Sequence, residues 1–256
     1  MIRYEFLMQI RKRSLWISMG LLAVITVLGQ GDAGPRYLPD DASARVVASS
    51  WAFLWSLLLP IVAGMVLADR LVRDDRLGVS RLLESLPTTA TTRVMGRFLG
   101  ALAATATPIF LATVIAGGAE SISREDPAVL LWTPIAFGLV LLPGLVFVGA
   151  FAMVVPLLLT APLFRVLFVG YWFWGNMLGP SYMPSLAGTL LTPVGDYTAS
   201  WLLGERALYA GADGWLQLLR PEPNGVTAAL SVALLLGVGL IPLLVGSRVL
   251  ARRATA

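Results

Sequence analysis

The run Val46–Ala68, VVASSWAFLWSLLLPIVAGMVLA, decides the fold class of this chain. It contains no charged residue, and Arg45 and Asp69 stand directly at its two ends. A helix needs about 20 mostly apolar residues, at about 1.5 Å of rise each, to cross the hydrocarbon of a bilayer. The run therefore predicts a membrane-spanning helix.

The composition extends this prediction to the whole chain. Of its 256 residues, 57% are apolar and 13% are charged. A soluble domain carries about 25% charged residues because its surface faces water. The sequence therefore predicts an all-α polytopic membrane protein, and no repeat or low-complexity linker divides residues 1–256 into more than one domain.

Six apolar segments are candidates for spanning helices. They are Ser14–Gln30, Val46–Ala68, Val94–Gly118, Leu131–Thr160, Leu163–Leu178 and Val226–Gly246. The fourth contains Pro134, Pro143 and Pro156, which predict kinks or a broken end.

The basic residues predict the orientation of these spans. With the N-terminus in the cytoplasm, fourteen of the nineteen Lys and Arg residues fall in cytoplasmic segments, as the positive-inside rule requires. Both termini are then cytoplasmic, and we expect the plasma membrane of a bacterium. The alternative for residues 1–32 is a cleaved signal peptide, but its basic region is long and no Ala-x-Ala precedes Asp32, so a retained first span is favoured.

Several classes of chemistry are excluded by the residues that the sequence lacks. There is no Cys and no His, which excludes thiolate nucleophiles and His-based triads. The single Lys, Lys12, has no P-loop glycines before it, so this chain is not a P-loop ATPase. No carboxylate lies near the middle of a predicted span, which argues against ion-coupled transport.

Two cytoplasmic segments carry amphipathic patterns. Residues 1–13 place Ile2, Phe6 and Ile10 on one face, which predicts a helix in the membrane interface. Residues 69–93 place apolar side chains at helical spacing before Pro87. Composition alone leaves two alternatives for the second helix, a docking surface for a soluble partner or a solvated loop.

The second segment resembles a known family. The run Gly78…Leu82-Leu83-x-Ser85-Leu86-Pro87 is similar to the coupling-helix region of ABC-2 type transporter permeases. That region commonly reads E-x-G-T-x-E-x-L-L-x-L-P, and this chain differs from it at Val79 and Arg81. Leu191-Thr192-Pro193…Tyr197 looks like the family's N-P-x-x-Y-like stretch, with Thr192 in place of the Asn.

The resemblance implies the permease subunit of a type V-like exporter. Two permease subunits, identical or paralogous, would each dock on an ATP-binding cassette ATPase subunit, which holds the ATP and Mg. This chain would bind no cofactor and no nucleic acid, and would move a lipophilic or amphipathic cargo through the lipid membrane. Short helices in residues 180–225 would dip back into the outer leaflet. The implied coupling residues are Asp74, Asp75, Arg76, Gly78, Leu82, Leu83, Leu86 and Pro87.

Other features leave alternatives open. Tyr171, Trp172, Trp174 and Asn176 are candidates for a substrate path, although the aromatic residues suit an interfacial belt equally well. Gly96-x-x-x-Gly100 favours packing within the chain over a dimer seam. The rival functions are a membrane scaffold or assembly factor without a transport cycle, and a lipid-acting enzyme. The enzyme is disfavoured because the acidic residues from Glu120 to Asp126 are more simply explained as a solvated turn.

Overall fold

The computed structural model describes residues 1–30, 34–72, 89–204 and 216–255. Every regular element within these ranges is helical, which confirms that part of the predicted fold class. The helices are α1 (Ile2–Ile10), α2 (Arg13–Leu28), α3 (Ala44–Leu67), α4 (Ala90–Ser123), α5 (Ala128–Ala136), α6 (Leu142–Val154), α7 (Ala161–Asn176), α8 (Asp196–Leu203) and α9 (Gly225–Thr255).

Four helical stretches in the described residues are long and apolar enough to cross a membrane. They are Ala44–Leu67, Ala90–Ser123, Ala128–Leu157 and Gly225–Arg252. They coincide with the second, third, fourth and sixth predicted spans, and by length and composition they make the chain a multi-pass membrane protein.

The first and fifth predicted spans are helical but short. Helices α2 and α7 have 16 residues each, which corresponds to about 24 Å of helix. The hydrocarbon core of a bilayer is about 30 Å thick. The count of six spans therefore stays a prediction.

Prolines shape the fourth predicted span as the sequence suggested. Between α5 and α6 the chain forms a π-helical stretch, Phe137–Leu141, just after Pro134. The last turn, Val155–Leu157, is a 3-10 helix that contains Pro156. A proline removes a backbone donor and its ring crowds the preceding turn, so the helix widens or tightens at these places.

Helix α3 is the centre of the bundle. It contacts α2, α4, α5, α6, α7 and α8, and Trp55, Leu59 and Leu67 on it are almost completely buried. Helix α9 packs against α4, α6 and α8, and only 33% of its most apolar stretch is buried. We call the two ends of the bundle the Arg70 end, where α3 finishes, and the Glu120 end, where α4 finishes.

A close backbone approach fixes the segment before α8 against α6. A Cβ atom on Gly144 would overlap the carbonyl oxygen of Pro193, so glycine is required at position 144. The neighbouring carbonyl, that of Val194, accepts a hydrogen bond of 2.7 Å from the hydroxyl of Ser56 on α3. Residues 193 and 194 therefore lie against the middle of α3 and the first turn of α6.

We expect Gly144→Ala to reduce the free energy of unfolding by about 1–3 kcal/mol, because backbone or side chains must move to admit the methyl group. The matched control is Gly237→Ala on α9, where an added Cβ meets no atom within 4 Å. The measurement is the thermal unfolding midpoint of each purified variant in detergent. Equal midpoints for the two variants would show that the approach of residue 193 to α6 does not constrain the fold.

Candidate functional site

Three charged residues from three helical elements meet at the Arg70 end. The carboxylate of Glu5 on α1 lies 3.8 Å from the guanidinium of Arg70, just after α3, and 3.9 Å from that of Arg97 on α4. The exposed fraction of the side chain is 4% for Arg70, 11% for Arg97 and 13% for Glu5. We call this group the Glu5 triad. It joins α1 to the ends of both helices that flank residues 73–88.

Small residues on α4 allow α1 to come this close. A Cβ atom on Gly100 would lie 2.5 Å from the carbonyl oxygen of Ile2 and 2.7 Å from the Cβ of Glu5. Gly96, one turn earlier, faces the side chain of Met1. The Gly96-x-x-x-Gly100 pattern therefore serves helix packing within the chain, as the sequence analysis favoured.

Helix α1 turns polar side chains inward, which the sequence analysis did not expect. Gln9 is fully buried and Glu5 nearly so, whereas Ile2 and Tyr4 are exposed. Phe6 and Ile10 are half-buried. The predicted helix is present, but its inward face is set by the Glu5 triad rather than by the apolar stripe. Its placement in the membrane interface stays a prediction.

A second ion pair lies beside the triad. Arg165 on α7 pairs with the carboxylate of Asp69, and its Nε donates to the carbonyl of Met65 at 3.3 Å. Arg165 lies near the start of the fifth predicted span, Leu163–Leu178. The structure adds a specific partner, which brings the first turns of α7 to the last turn of α3.

The predicted coupling residues lie between these anchors and outside the described residues. They are Asp74, Asp75, Arg76, Gly78, Leu82, Leu83, Leu86 and Pro87. The described residues resume at Thr89. Its hydroxyl oxygen accepts a hydrogen bond from the backbone N–H of Thr92 at 3.2 Å. Thr89 thus caps α4, and the helix begins before Val94, the first residue of the predicted third span.

Three of the four residues proposed for a substrate path make hydrogen bonds within the chain. Trp172 is fully buried and donates to the carbonyl of Leu57 on α3 at 2.7 Å. Trp174 donates to the carbonyl of Pro184 at 3.0 Å, and Asn176 donates to the carbonyl of Trp172 at 2.9 Å. These three side chains are committed to internal hydrogen bonds.

Tyr171 has a different environment. It is half-buried and lines an apolar cavity of about 370 Å³ between α6 and α7, together with Phe147, Phe151 and Phe168. Such a lining is typical of a site for an apolar molecule. The assignment of a substrate path stays a prediction, and the cavity beside Tyr171 supports it for this residue.

A buried arginine organises the segment before α9. Arg220 is 1% exposed, and its guanidinium donates to the carbonyls of Ser185 at 2.9 Å and Ala187 at 3.2 Å. The hydroxyl of Tyr197 on α8 donates to the carbonyl of Pro221 at 3.0 Å. Arg220 is one of the five basic residues for which the charge pattern of the sequence predicts only a position on the outer side. The available signal was a lone charge between Leu218-Leu219 and Pro221.

The residues of the N-P-x-x-Y-like stretch have structural roles in this segment. The Thr192 hydroxyl donates to the carbonyl of Leu186 at 2.8 Å and accepts from the backbone N–H of Thr189 at 3.0 Å. Burial raises the pKa of Asp196 at the start of α8 to about 7, and a backbone hydrogen bond from Gly188 opposes part of the rise. The carboxyl is then largely uncharged below neutral pH.

Of the acidic residues near the end of α4, Glu120 connects separate segments of the chain and Asp126 stabilises a turn. Glu120 accepts from Arg124 at 2.9 Å and from the indole of Trp51 at 3.3 Å, and Arg124 also donates to the carbonyl of Pro39 at 2.7 Å. Asp126 accepts from the backbone N–H of Ala128 at 2.9 Å. In the described part of the chain, no group of three or more acidic side chains is placed to hold a metal ion.

No family model matches this chain, and neither a curated protein nor a solved structure shows significant similarity to it.

We expect Glu5→Ala to lower the free energy of unfolding by about 3 kcal/mol, because it leaves two nearly buried guanidinium groups without this carboxylate. The control is Asp40→Ala, which also removes one carboxylate but at an exposed position. Thermal unfolding of both purified variants in detergent measures the difference. A Glu5→Ala midpoint equal to that of Asp40→Ala would mean that the triad adds nothing to stability.

Proposed function

We propose that this chain is the permease subunit of an ATP-driven exporter of the ABC-2 type. The observation that carries the proposal is the Glu5 triad, which links α1 to both helices that flank residues 73–88. A force applied to that segment by a soluble partner would act on α1, α3 and α4 together. This connection is what a coupling segment requires, and it complements the sequence resemblance of residues 78–87.

Two features support six spans in the proposed exporter. Helix α2 exposes apolar side chains along its whole length, from Ile17 to Leu28, as expected of a helix that faces lipid. Helix α7 runs antiparallel along α3, since Arg165 lies near Met65 and Trp172 lies near Leu57. Short helices can cross by local thinning of the bilayer and by snorkelling of flanking basic residues.

The segment 180–225 is proposed to dip into the membrane and return. Its support is the bond from Ser56, near the middle of α3, to the carbonyl of Val194. The hydrogen bonds of Arg220 and Thr192 satisfy backbone carbonyls within the segment, and irregular backbone at membrane depth needs such partners.

The proposed cycle draws its energy from two ATPase subunits that hold ATP and Mg. Nucleotide binding would move the segment around residues 74–87, and with it the ends of α3 and α4. A second permease copy or paralogue would complete the path, and the cavity beside Tyr171 suits a lipophilic or amphipathic cargo.

The proposed orientation predicts which residues face the cytosol. Because the chain has no Cys, single substitutions provide unique labels. We expect Ser123→Cys, at the exposed end of α4, to react with a membrane-impermeant maleimide in intact cells. Ser85→Cys should react only after the cells are permeabilised. The reverse pattern would place residues 73–88 outside the cell and end the exporter proposal.

The proposed ATPase contact predicts a charge-sensitive complex. Joint reversal at three positions, Asp74→Arg, Asp75→Arg and Arg76→Asp, should reduce co-purification of an ATP-hydrolysing subunit about tenfold or more, since like charges would then face each other across the interface. Membrane insertion should be unchanged.

The matched control for this experiment reverses Asp40 and Asp41, two exposed acidic residues near the Glu120 end. Affinity purification in mild detergent, with partners identified by mass spectrometry, gives the readout. If the unmodified chain recovers no nucleotide-hydrolysing partner, a scaffold or assembly factor becomes the better description.

A further inference from the structure

The cavity between α6 and α7 has an apolar lining with one polar side chain. Its volume is about 370 Å³, which is within the range of small-molecule sites in proteins. Of the nine described residues that line it, Tyr171 is the one with a polar group, and none is charged. A charged molecule would lose its water there without gaining a partner. The lining therefore favours an uncharged occupant.

Both walls of the cavity carry a pair of aromatic rings. On α6, the ring centroids of Phe147 and Phe151 are 4.8 Å apart. On α7, those of Phe164 and Phe168 are 5.6 Å apart, and the two rings are nearly parallel, at 9°. All four rings line the cavity. Aromatic pairs gain stability beyond the area that they bury, so the walls favour a molecule with a ring over an aliphatic chain.

The hydroxyl of Tyr171 offers a specific polar contact. The ring lies 6.4 Å from that of Trp174, but among the described residues the hydroxyl has no hydrogen-bond partner. The next residue, Trp172, bonds to Leu57 near the middle of α3, which places Tyr171 at a depth where little water is available. A polar group without a partner is unfavourable there. A ligand with an acceptor would satisfy it, whereas the acyl chain of a lipid would not.

We propose that this cavity binds a neutral aromatic molecule whose hydrogen-bond acceptor meets the Tyr171 hydroxyl. Leu159 and Leu167 are exposed and form part of the lining, so the molecule would enter from the lipid side of the bundle. A role of this molecule as cargo rests on the proposed exporter function, but its binding does not.

Benzophenone is a suitable probe, because it has two rings and one carbonyl acceptor and crosslinks to nearby C–H bonds on illumination. Peptide mass spectrometry of the purified full-length chain in phosphatidylcholine nanodiscs should show saturable labelling within residues 147–171. We expect Tyr171→Phe to raise the half-saturating concentration about fivefold, because the ketone loses its donor. Diphenylmethane, which has the rings without the carbonyl, should compete equally well in both proteins.

Two results of this experiment would overturn the proposal. Equal half-saturating concentrations for the unmodified chain and Tyr171→Phe would show that the hydroxyl recognises no acceptor and that any apolar molecule can fill the space. Equal labelling of residues 147–171 and of the exposed side chains of α9, such as Val226 and Leu230, would show that the probe marks lipid-facing surface and not a site.

A matched pair of variants tests the cavity itself. Leu167→Trp adds bulk at an exposed lining position, whereas Val166→Trp adds the same bulk at an exposed neighbour that does not line the cavity. We expect Leu167→Trp to reduce saturable labelling about tenfold or more, and Val166→Trp to leave it unchanged. Equal labelling of the two variants would contradict the proposal. Both measurements use the chain without an ATPase, so a failure to bind benzophenone is distinct from a failure to recruit a nucleotide-hydrolysing partner.

Discussion

The contact of Glu5 with Arg70 and Arg97 is the constraint on which the Arg70 end of the bundle depends. A guanidinium group that is almost out of contact with water is costly unless an opposite charge and hydrogen-bond acceptors surround it. Both arginines sit at helix ends that flank residues 73–88, so their shared carboxylate fixes the spacing of those ends. The glycines at 96 and 100 are a consequence, because α1 can deliver Glu5 only by approaching the α4 backbone closely.

The other polar regions solve the same problem with different partners. Arg220 is satisfied by backbone carbonyls, whereas Arg124 combines the carboxylate of Glu120 with the carbonyls of Leu38 and Pro39. In each case one side chain ties together segments that are far apart in sequence. Only 13% of the residues in this chain are charged, and several of these side chains form contacts within the protein rather than with water.

Sequence patterns predicted the long elements well because those elements are governed by one-dimensional properties. The apolar runs gave the positions of α3, α4 and α9, and the prolines gave the irregular turns around α5 and α6. The predicted third span, Val94–Gly118, lies within α4, which begins earlier, at Ala90. Each of these depends on the residues of a single segment, such as its length, its hydropathy or a missing backbone donor.

The partners of individual side chains could not be predicted in the same way. Helical spacing identified the apolar stripe of α1, but it could not show that Glu5 faces two arginines more than 60 residues away. The aromatic group around Trp172 was equally ambiguous, because consecutive helical residues point about 100° apart. Trp172 therefore contacts α3, whereas Tyr171 faces α6. Trp172 has a structural role in helix packing, and Tyr171 lines a cavity.

Helix α3 connects these sites along its whole length. Near its start, Trp51 donates to Glu120; in its middle, Ser56 and Leu57 bond to Val194 and Trp172; and just beyond its end, Asp69 and Arg70 form ion pairs. A rigid displacement of α3 would therefore change contacts at both ends of the bundle at once. In the proposed exporter this helix is the direct physical route from a cytoplasmic push to the segment before α9. Ser56 donates to the carbonyl of Val194, and the preceding carbonyl, that of Pro193, packs against Gly144 on α6. The segment would therefore follow α3 instead of sliding along it.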